Sequence, residues 1–384
     1  MEKEPTKLKI LFTIPNFDTA GSGKALLNIA TRLDKEIFEP HIACLHDKGD
    51  YFQVVRESKI PVHIFNYFVP MNSRVKGLIG CYNIAKKFKE IDPQIIHSFN
   101  YSSDYSEAIS AKLSRIPWVY TKKNMSWGGS SSNSWRLRSF LASHIIVQNK
   151  DMISQFFNNK KNITLVQRGV NINEFKNDNN YNKILQELKI SKEKKVLLTV
   201  ANLVPVKGIE GLIYAIRNLK LINEEVILIV VGDDKNEYGS NLKKLVHESR
   251  LEKVIFFTGK RYDLNRIYNA SDIFVLPTHQ TGRAEGCPVA LLEAMSTGLP
   301  VIASNIPGSR DILEDFQDYL FEPGNHEALS KKIKSILSLD KYQTSVLSNS
   351  MRNHIEKKFD IRYEVNKTER VYKKIYLDRK QTFF

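Results

Sequence analysis

The sequence predicts an α/β protein of two doubly wound, parallel-sheet domains facing a central cleft. Three observations predict it: 384 residues, of which 42% are hydrophobic, exceed what one core usually serves; strand and helix signals alternate throughout; and the alternation pauses once, after Gly169. In the first half the strand candidates are Leu8 to Ile14, His41 to Leu45, Val62 to Phe65, Gln94 to Ser98, Trp118 to Thr121 and Ile145 to Gln148. Helical spacing falls at Ala25 to Leu33, Tyr51 to Ser58, Lys76 to Lys89 and Asp104 to Ser114, with Gly21-Ser-Gly-Lys-Ala25 read as a loop. Asn171 to Asn182 is rich in Asn and poor in apolar residues, which suits a hinge. A second series follows at Lys195 to Val200, Val226 to Val231, Val254 to Phe257, Asp272 to Leu276 and Val301 to Ser304, and an amphipathic tail helix covers roughly Asp360 to Tyr376. The expected division is 1–170 joined by 360–384, a hinge at 171–190, and 191–359.

Charge and cysteine content narrow the function. With 57 Lys and Arg against 42 Asp and Glu, the formal charge is +15, which favours an anionic partner. No helix-turn-helix, RNA-recognition or zinc signature is present, so a nucleic-acid partner is not expected. Cys44, Cys81 and Cys287 are too few and too scattered for a disulfide framework. Ile10 to Ile14 is too short an apolar run for a signal peptide or membrane span, so a cytoplasmic protein is expected.

The most informative stretch runs from Thr278 to Gly298. Asp272 to Pro277 reads as a buried strand, a polar loop follows, and Pro288 opens a helix that Gly298 and Pro300 end. The N–H groups of Gly286, Cys287, Val289 and Ala290, on either side of Pro288, lie at the positive end of that helix and suit a phosphate. Glu285 stands just before it and Glu293 about a turn and a half inside. Read alone, the stretch also fits an ordinary strand-loop-helix unit with one surface and one capping carboxylate.

Three more clusters fall at strand ends. Lys207, followed at once by Gly208 and a helix, is placed as a phosphate-reading charge, since a cation at a helix start otherwise opposes the dipole. Gly21-Ser-Gly23 lacks the spacing of a Walker loop or a dinucleotide fingerprint, and a tight turn explains it equally well. His97 ends a central strand and is read as looking into the cleft, a satisfied structural His being the alternative. No His pattern suggests a metal, and no Asp-x-Asp is present to hold a divalent ion against a diphosphate; Asp233-Asp234 reads as a turn.

Between Ala111 and Lys150 lie seven basic residues, no Asp or Glu, and Trp118, Trp127 and Trp135. Lys122, Lys123, Trp127, Arg136 and Arg138 are therefore candidates for an acceptor or an anionic membrane surface, and peripheral attachment to the inner face of the cell membrane is expected. A solvated basic face with core Trp residues is the competing reading.

Taken together, Pro93-Gln-Ile-Ile-His97, Val166-Gln-Arg-Gly-Val-Asn171, the Lys207-Gly208 loop, Glu285-x7-Glu293 and Gly298-x-Pro300-Val-Ile-Ala303 resemble the GT-B glycosyltransferases of family 4 over nearly the whole chain. The resemblance implies sugar transfer from a nucleotide-diphosphate donor to a glycan or lipid-linked acceptor, with retention and without a metal or other cofactor. It implies that Glu293 holds ribose hydroxyls, Glu285 faces the donor sugar, Lys207 holds the diphosphate, His97 lies near the donor sugar, and Gly21 and Gly23 approach phosphates and acceptor. Lys260 and Arg261 fall where the family contacts the base. Asn202 stands where the family has Arg, and Arg283 or Arg261 is expected to compensate. A nucleotide-sugar epimerase or a non-catalytic nucleotide-sugar binder shares the architecture.

Overall fold

The structure is a computed structural model that describes residues 7–382 apart from 19, 50, 128–130, 159, 179–181, 192, 222–224 and 281–284. The chain forms two compact units, 1–167 with 362–384, and 168–361.

In unit 1 the strands are β1 (Leu8–Thr13), β2 (Phe38–Cys44), β3 (Val62–Ile64), β4 (Ile95–Ser98), β5 (Trp118–Lys122), β6 (His144–Val147) and β7 (Ile163–Leu165). Between them run α1 (Ala20–Ala30), α2 (Phe52–Glu57), α3 (Arg74–Ile91), α4 (Ser106–Ser114), α5 (Ser132–Leu141) and α6 (Lys150–Phe156). The sheet is parallel in the order β3-β2-β1-β4-β5-β6-β7. Strand order reverses between β1 and β4, so the loops at their carboxyl ends flank a natural crevice. Ile10, Phe12, Ile95, Ile96 and Val119 are fully buried, as strands covered on both faces require.

Unit 2 contains α7 (Asn182–Glu187), β8 (Lys195–Val200), α8 (Ile209–Leu221), β9 (Val226–Val231), α9 (Glu237–Glu248), β10 (Ile255–Gly259), α10 (Leu264–Asn269), β11 (Ile273–Leu276) and α11 (Val289–Ser296). It continues with β12 (Val301–Ser304), α12 (Pro307–Ile312), β13 (Leu320–Phe321), α13 (His326–Leu337) and α14 (Lys341–Lys358). The last helix, α15 (Ile361–Thr382), returns the chain to unit 1. The parallel order is β10-β9-β8-β11-β12-β13, with the switch between β8 and β11.

Three expectations are corrected. The segment 171–190 is not a bare linker: Phe175, Ile184, Leu185 and Ile190 join the core of unit 2, and Ser296 Oγ donates to the Phe175 carbonyl at 2.6 Å. Its apolar residues are spaced too widely among Asn to register as an element in the sequence. Gly21 and Gly23 lie inside α1, which starts at Ala20, rather than in a loop. β7 and β13 escaped the sequence reading because three and two residues carry no periodicity.

Candidate active site

The site of unit 2 sits at its switch point. After β8 the chain makes a short 3₁₀ turn, Pro205–Lys207, and Gly208 takes a left-handed conformation at φ 64° before α8 begins. A side chain at Gly208 would place Cβ 2.3 Å from the Pro277 carbonyl, so glycine lets the loop after β8 lie against the loop after β11. The His279 N–H donates to the Val206 carbonyl at 2.8 Å, and the His279 ring meets Glu210 at 3.1 Å. Tyr238 donates its hydroxyl to the other Glu210 oxygen. These contacts hold the two loops in register.

Lys207 Nζ forms an ion pair with Glu285 Oε1 across those loops, their side chains 12% and 25% exposed. Burial pulls the Lys207 ammonium down to about 8. The second oxygen, Glu285 Oε2, is buried and has no hydrogen-bond partner among the described residues. A carboxylate oxygen without a donor is costly to bury, so the position suits a hydroxyl from a ligand.

Pro288 caps α11 in an extended conformation, leaving the first N–H groups of the helix directed at the same end. The start of α12 presses on that turn: a side chain at Gly308 would come within 2.7 Å of the Gly286 carbonyl. Cys287, Val289 and Ala290 are half-buried there. Inside α11, Glu293 is 6% exposed and accepts a hydrogen bond from Tyr268 at 3.0 Å. Burial, then the Glu293 charge, pushes the Tyr268 phenol well above its ordinary value, so it stays a donor. Buried hydroxyls of Thr199, Thr278, Ser304 and Ser309, around the carboxyl ends of β8, β11 and β12, also lack partners among the described residues.

The remaining candidates of unit 2 are arranged differently. Asn202 is exposed. Arg261, expected above to compensate for it, has its guanidinium engaged by Asp263 at 2.9 and 2.8 Å and by both oxygens of Glu187. Those two carboxylates raise its pKa further. Lys260 pairs with Asp233 at 3.3 Å. Arg283 lies outside the described residues.

In unit 1, several assignments are corrected. His97 is 0% exposed, with Nδ1 2.6 Å from the Tyr372 hydroxyl and Nε2 2.8 Å from Thr121 Oγ1. It ties β4 to α15 and β5, a role hidden in the sequence because α15 arrives 275 residues later. Lys122 is 1% exposed and donates to Asn124 Oδ1 and the Ser126 carbonyl. Its ammonium lies 5.4, 4.7 and 5.0 Å from the ring centres of Trp127, Trp135 and Phe156, and burial pulls it down to about 7. Arg138 is fully buried over Trp118, Tyr120 and Trp135 and donates to Ser98 Oγ and the carbonyls of Asn100 and Asp104. Neither cation faces an acceptor or a membrane, and Trp127 packs on Trp135, Phe156 and Phe157.

Arg136 is exposed. Lys123 donates from its ammonium to the Phe99 carbonyl and, at 3.2 Å, to Ser22 Oγ in the first turn of α1, a contact the sequence did not suggest. Gly23 lies so close to Phe17 that a Cβ would sit 2.7 Å from the ring, whereas space at Gly21 is open.

Sequence reasoning passed over Tyr268 and the Glu210–His279–Tyr238 clamp. Only the His279 position, two residues past the strand-ending Pro277, carried a signal.

Two doubly wound parallel-sheet units, with a cation, two carboxylates and a helix start at the switch point of the second, define the GT-B class of glycosyltransferase. Comparison with known proteins agrees. Residues 180–354 match the family described as glycosyl transferases group 1, and residues 19–174 match glycosyltransferase family 4. The chain belongs to these family 4-like GT-B glycosyltransferases and is an enzyme of that kind.

Among its relatives is the Escherichia coli UDP-Gal:α-D-GlcNAc-diphosphoundecaprenol α-1,3-galactosyltransferase, 28% identical over 80% of this chain and 83% of that protein. Another is the Campylobacter jejuni N,N′-diacetylbacillosaminyl-diphospho-undecaprenol α-1,3-N-acetylgalactosaminyltransferase, 23% identical over 86% of this chain and 89% of that protein. The crystal structure of Anabaena HepE in complex with UDP and glucose superposes with a TM-score of 0.81, covering 95% of this chain and 99% of that one at 21% identity.

Proposed function

We propose that this enzyme moves a sugar from a nucleoside diphosphate sugar, bound in unit 2, to a hydroxyl of a lipid-diphosphate-linked saccharide in cell-surface glycan synthesis. The observation that carries the reading is the Lys207–Glu285 pair, with an unpartnered carboxylate oxygen, beside the start of α11. Lys207 and the N–H groups of Val289 and Ala290 would stabilise the charge that grows on the departing diphosphate. Glu285 Oε2 would accept a hydroxyl of the donor sugar, and Glu293, aimed by Tyr268, the vicinal diol of the ribose.

In the step itself the bond from the anomeric carbon to the phosphate oxygen breaks, the bond to the acceptor oxygen forms, and the acceptor proton passes to the departing phosphate. Retention and independence from a metal are part of the proposal, following the family resemblance. Uridine is the favoured base because the Escherichia coli relative is named for UDP-Gal and the HepE crystals hold UDP. The lipid-diphosphate acceptor follows the names of both relatives and supports the reading of an enzyme that works at a membrane surface.

The test is transfer of labelled sugar from a panel of UDP-hexoses to a polyprenyl-diphosphate saccharide in chelator, with the product's anomeric configuration read by NMR. An α-linked lipid product is expected. Epimerised sugar from donor alone, with no transfer, would replace this reading with the epimerase; complete loss in chelator, restored by a divalent ion, would remove metal independence.

A further inference from the structure

The apolar residues of α3 fall on two sides. Gly77, Cys81, Ile84, Ala85 and Phe88 are buried, and the helix packs against α4. On the outer side Val75, Leu78, Ile79 and Tyr82 are 71%, 50%, 57% and 56% exposed. They stand at i, i+3, i+4 and i+7, so they form one strip over the first half of the helix. A helix that only closes a core carries polar residues there; a contiguous exposed aliphatic strip marks an interaction surface.

The exposed charge on α3 is predominantly basic. Arg74, Lys76, Lys86, Lys87 and Lys89 are all exposed on α3, against Glu90, which is held by Lys87 at 2.7 Å. Lys86 lies over the Tyr82 ring at 4.8 Å, and α4 adds exposed Lys112 and Arg115. The approach to the helix, residues 65–73, has no Asp or Glu. Lysine is depleted at protein–protein interfaces, whereas an aliphatic strip rimmed by lysines complements an anionic lipid surface. Among the described residues no helix is long and apolar enough to cross a membrane, so α3 can meet a bilayer only by lying on it.

We propose that α3 seats the enzyme on an anionic phospholipid bilayer, with Val75, Leu78, Ile79 and Tyr82 sunk into the interface and Lys86 and Lys89 among the headgroup phosphates. The inference rests on the membrane-surface reading above and replaces the buried Lys122, Arg138 and Trp residues as its location.

Sedimentation with phosphatidylglycerol-containing and with pure phosphatidylcholine vesicles, without donor or acceptor, tests it. The full chain should bind the anionic vesicles and barely the neutral ones. A variant carrying Val75→Ser, Leu78→Ser, Ile79→Ser and Tyr82→Ser should bind at least about ten-fold more weakly. Lys86→Gln with Lys89→Gln should cost about five-fold per lysine, less at high salt. Circular dichroism and Tm near wild type confirm that these exposed substitutions leave the fold intact.

Unchanged binding in the folded apolar variant overturns the proposal, as does wild-type protein that binds neither vesicle or that only self-associates through this face. Transfer to a short-chain, water-soluble acceptor analogue should persist in both variants. Its absence in wild type, with vesicle binding intact, would count against the acceptor reading and not against the α3 surface.

Discussion

Lys122 in unit 1, which is buried, and Lys207 in unit 2, which is largely buried, lie at or after the carboxyl ends of parallel strands, and burial depresses both, to about 7 and about 8. They differ in what surrounds the charge. Lys122 is closed in by Trp127, Trp135 and Phe156, and carbonyl oxygens of Asn124 and Ser126 satisfy it. Lys207 keeps an exposed edge and an ion pair whose carboxylate has an oxygen to spare. A depressed lysine therefore marks a site only when the geometry leaves an unfilled partner beside it. Lys122 stitches the loop after β5; under the function proposed above, Lys207 would exchange Glu285 for a diphosphate.

The sharpest way to break the comparison is to make the same substitution at both positions. Lys207→Met should lower kcat for sugar transfer by about 10²- to 10³-fold, the usual loss when one stabiliser of a developing anion is removed. Glu285→Gln should fall in the same range if its carboxylate, rather than its shape, orients the donor sugar. Lys122→Met should leave kcat near the wild-type level, because the methionine fills the same aromatic cage. Equal losses at Lys122 and Lys207 in folded proteins would erase the distinction.

A second expectation, smaller, concerns pH. A lysine with an ordinary pKa in the unfolded chain and about 7 when folded leaves the unfolded state holding more protons between those values. Folding stability due to Lys122 is therefore lowest near and below pH 7 and rises with pH above it. The slope approaches about 1.4 kcal/mol per pH unit at its steepest. Urea unfolding of wild type and Lys122→Met from pH 6.5 to about 9 checks this: the variant's advantage at the acid end should shrink as pH rises. For Lys207 the sign is the same, but the rise starts near pH 8, and a bound diphosphate should oppose it by favouring the ammonium. A pH-independent difference at Lys122 would mean that the cage holds the charged form throughout.

The contrast also separates what was legible in the sequence from what was not. The placement of Lys207 and Glu285 ahead of helix starts and of Glu293 inside α11 could be read because each lies within a few residues of a strand end or helix start. That local chemistry survives in one dimension. His97, Lys122 and Arg138 were misread because their surroundings come from elsewhere: Tyr372 on α15 closes over His97, and α5 and α6 bring Trp135 and Phe156 over Lys122. A basic, Trp-rich stretch reads alike whether its cations face solvent or stack inside on the rings. The doubly wound fold was readable from the repeated buried strands, whereas the packing of 171–190 onto unit 2 depended on partners such as Ser296 and Asn269 more than ninety residues away.

The smallest expected effect lies at Asn202, a neutral residue five positions before Lys207, with Arg261 already held by Glu187 and Asp263. Because those carboxylates satisfy Arg261 in place, Lys207 is the side-chain cation that the described residues bring to Glu285. Asn202→Arg should tighten UDP binding by about two- to five-fold at low salt, the worth of one partly screened charge pair, and less at high salt. Titration calorimetry at two ionic strengths measures it. Arg261→Gln should leave that gain intact, since its guanidinium serves the Glu187 and Asp263 carboxylates; a gain that disappears with Arg261 would show that the two cations share the diphosphate after all.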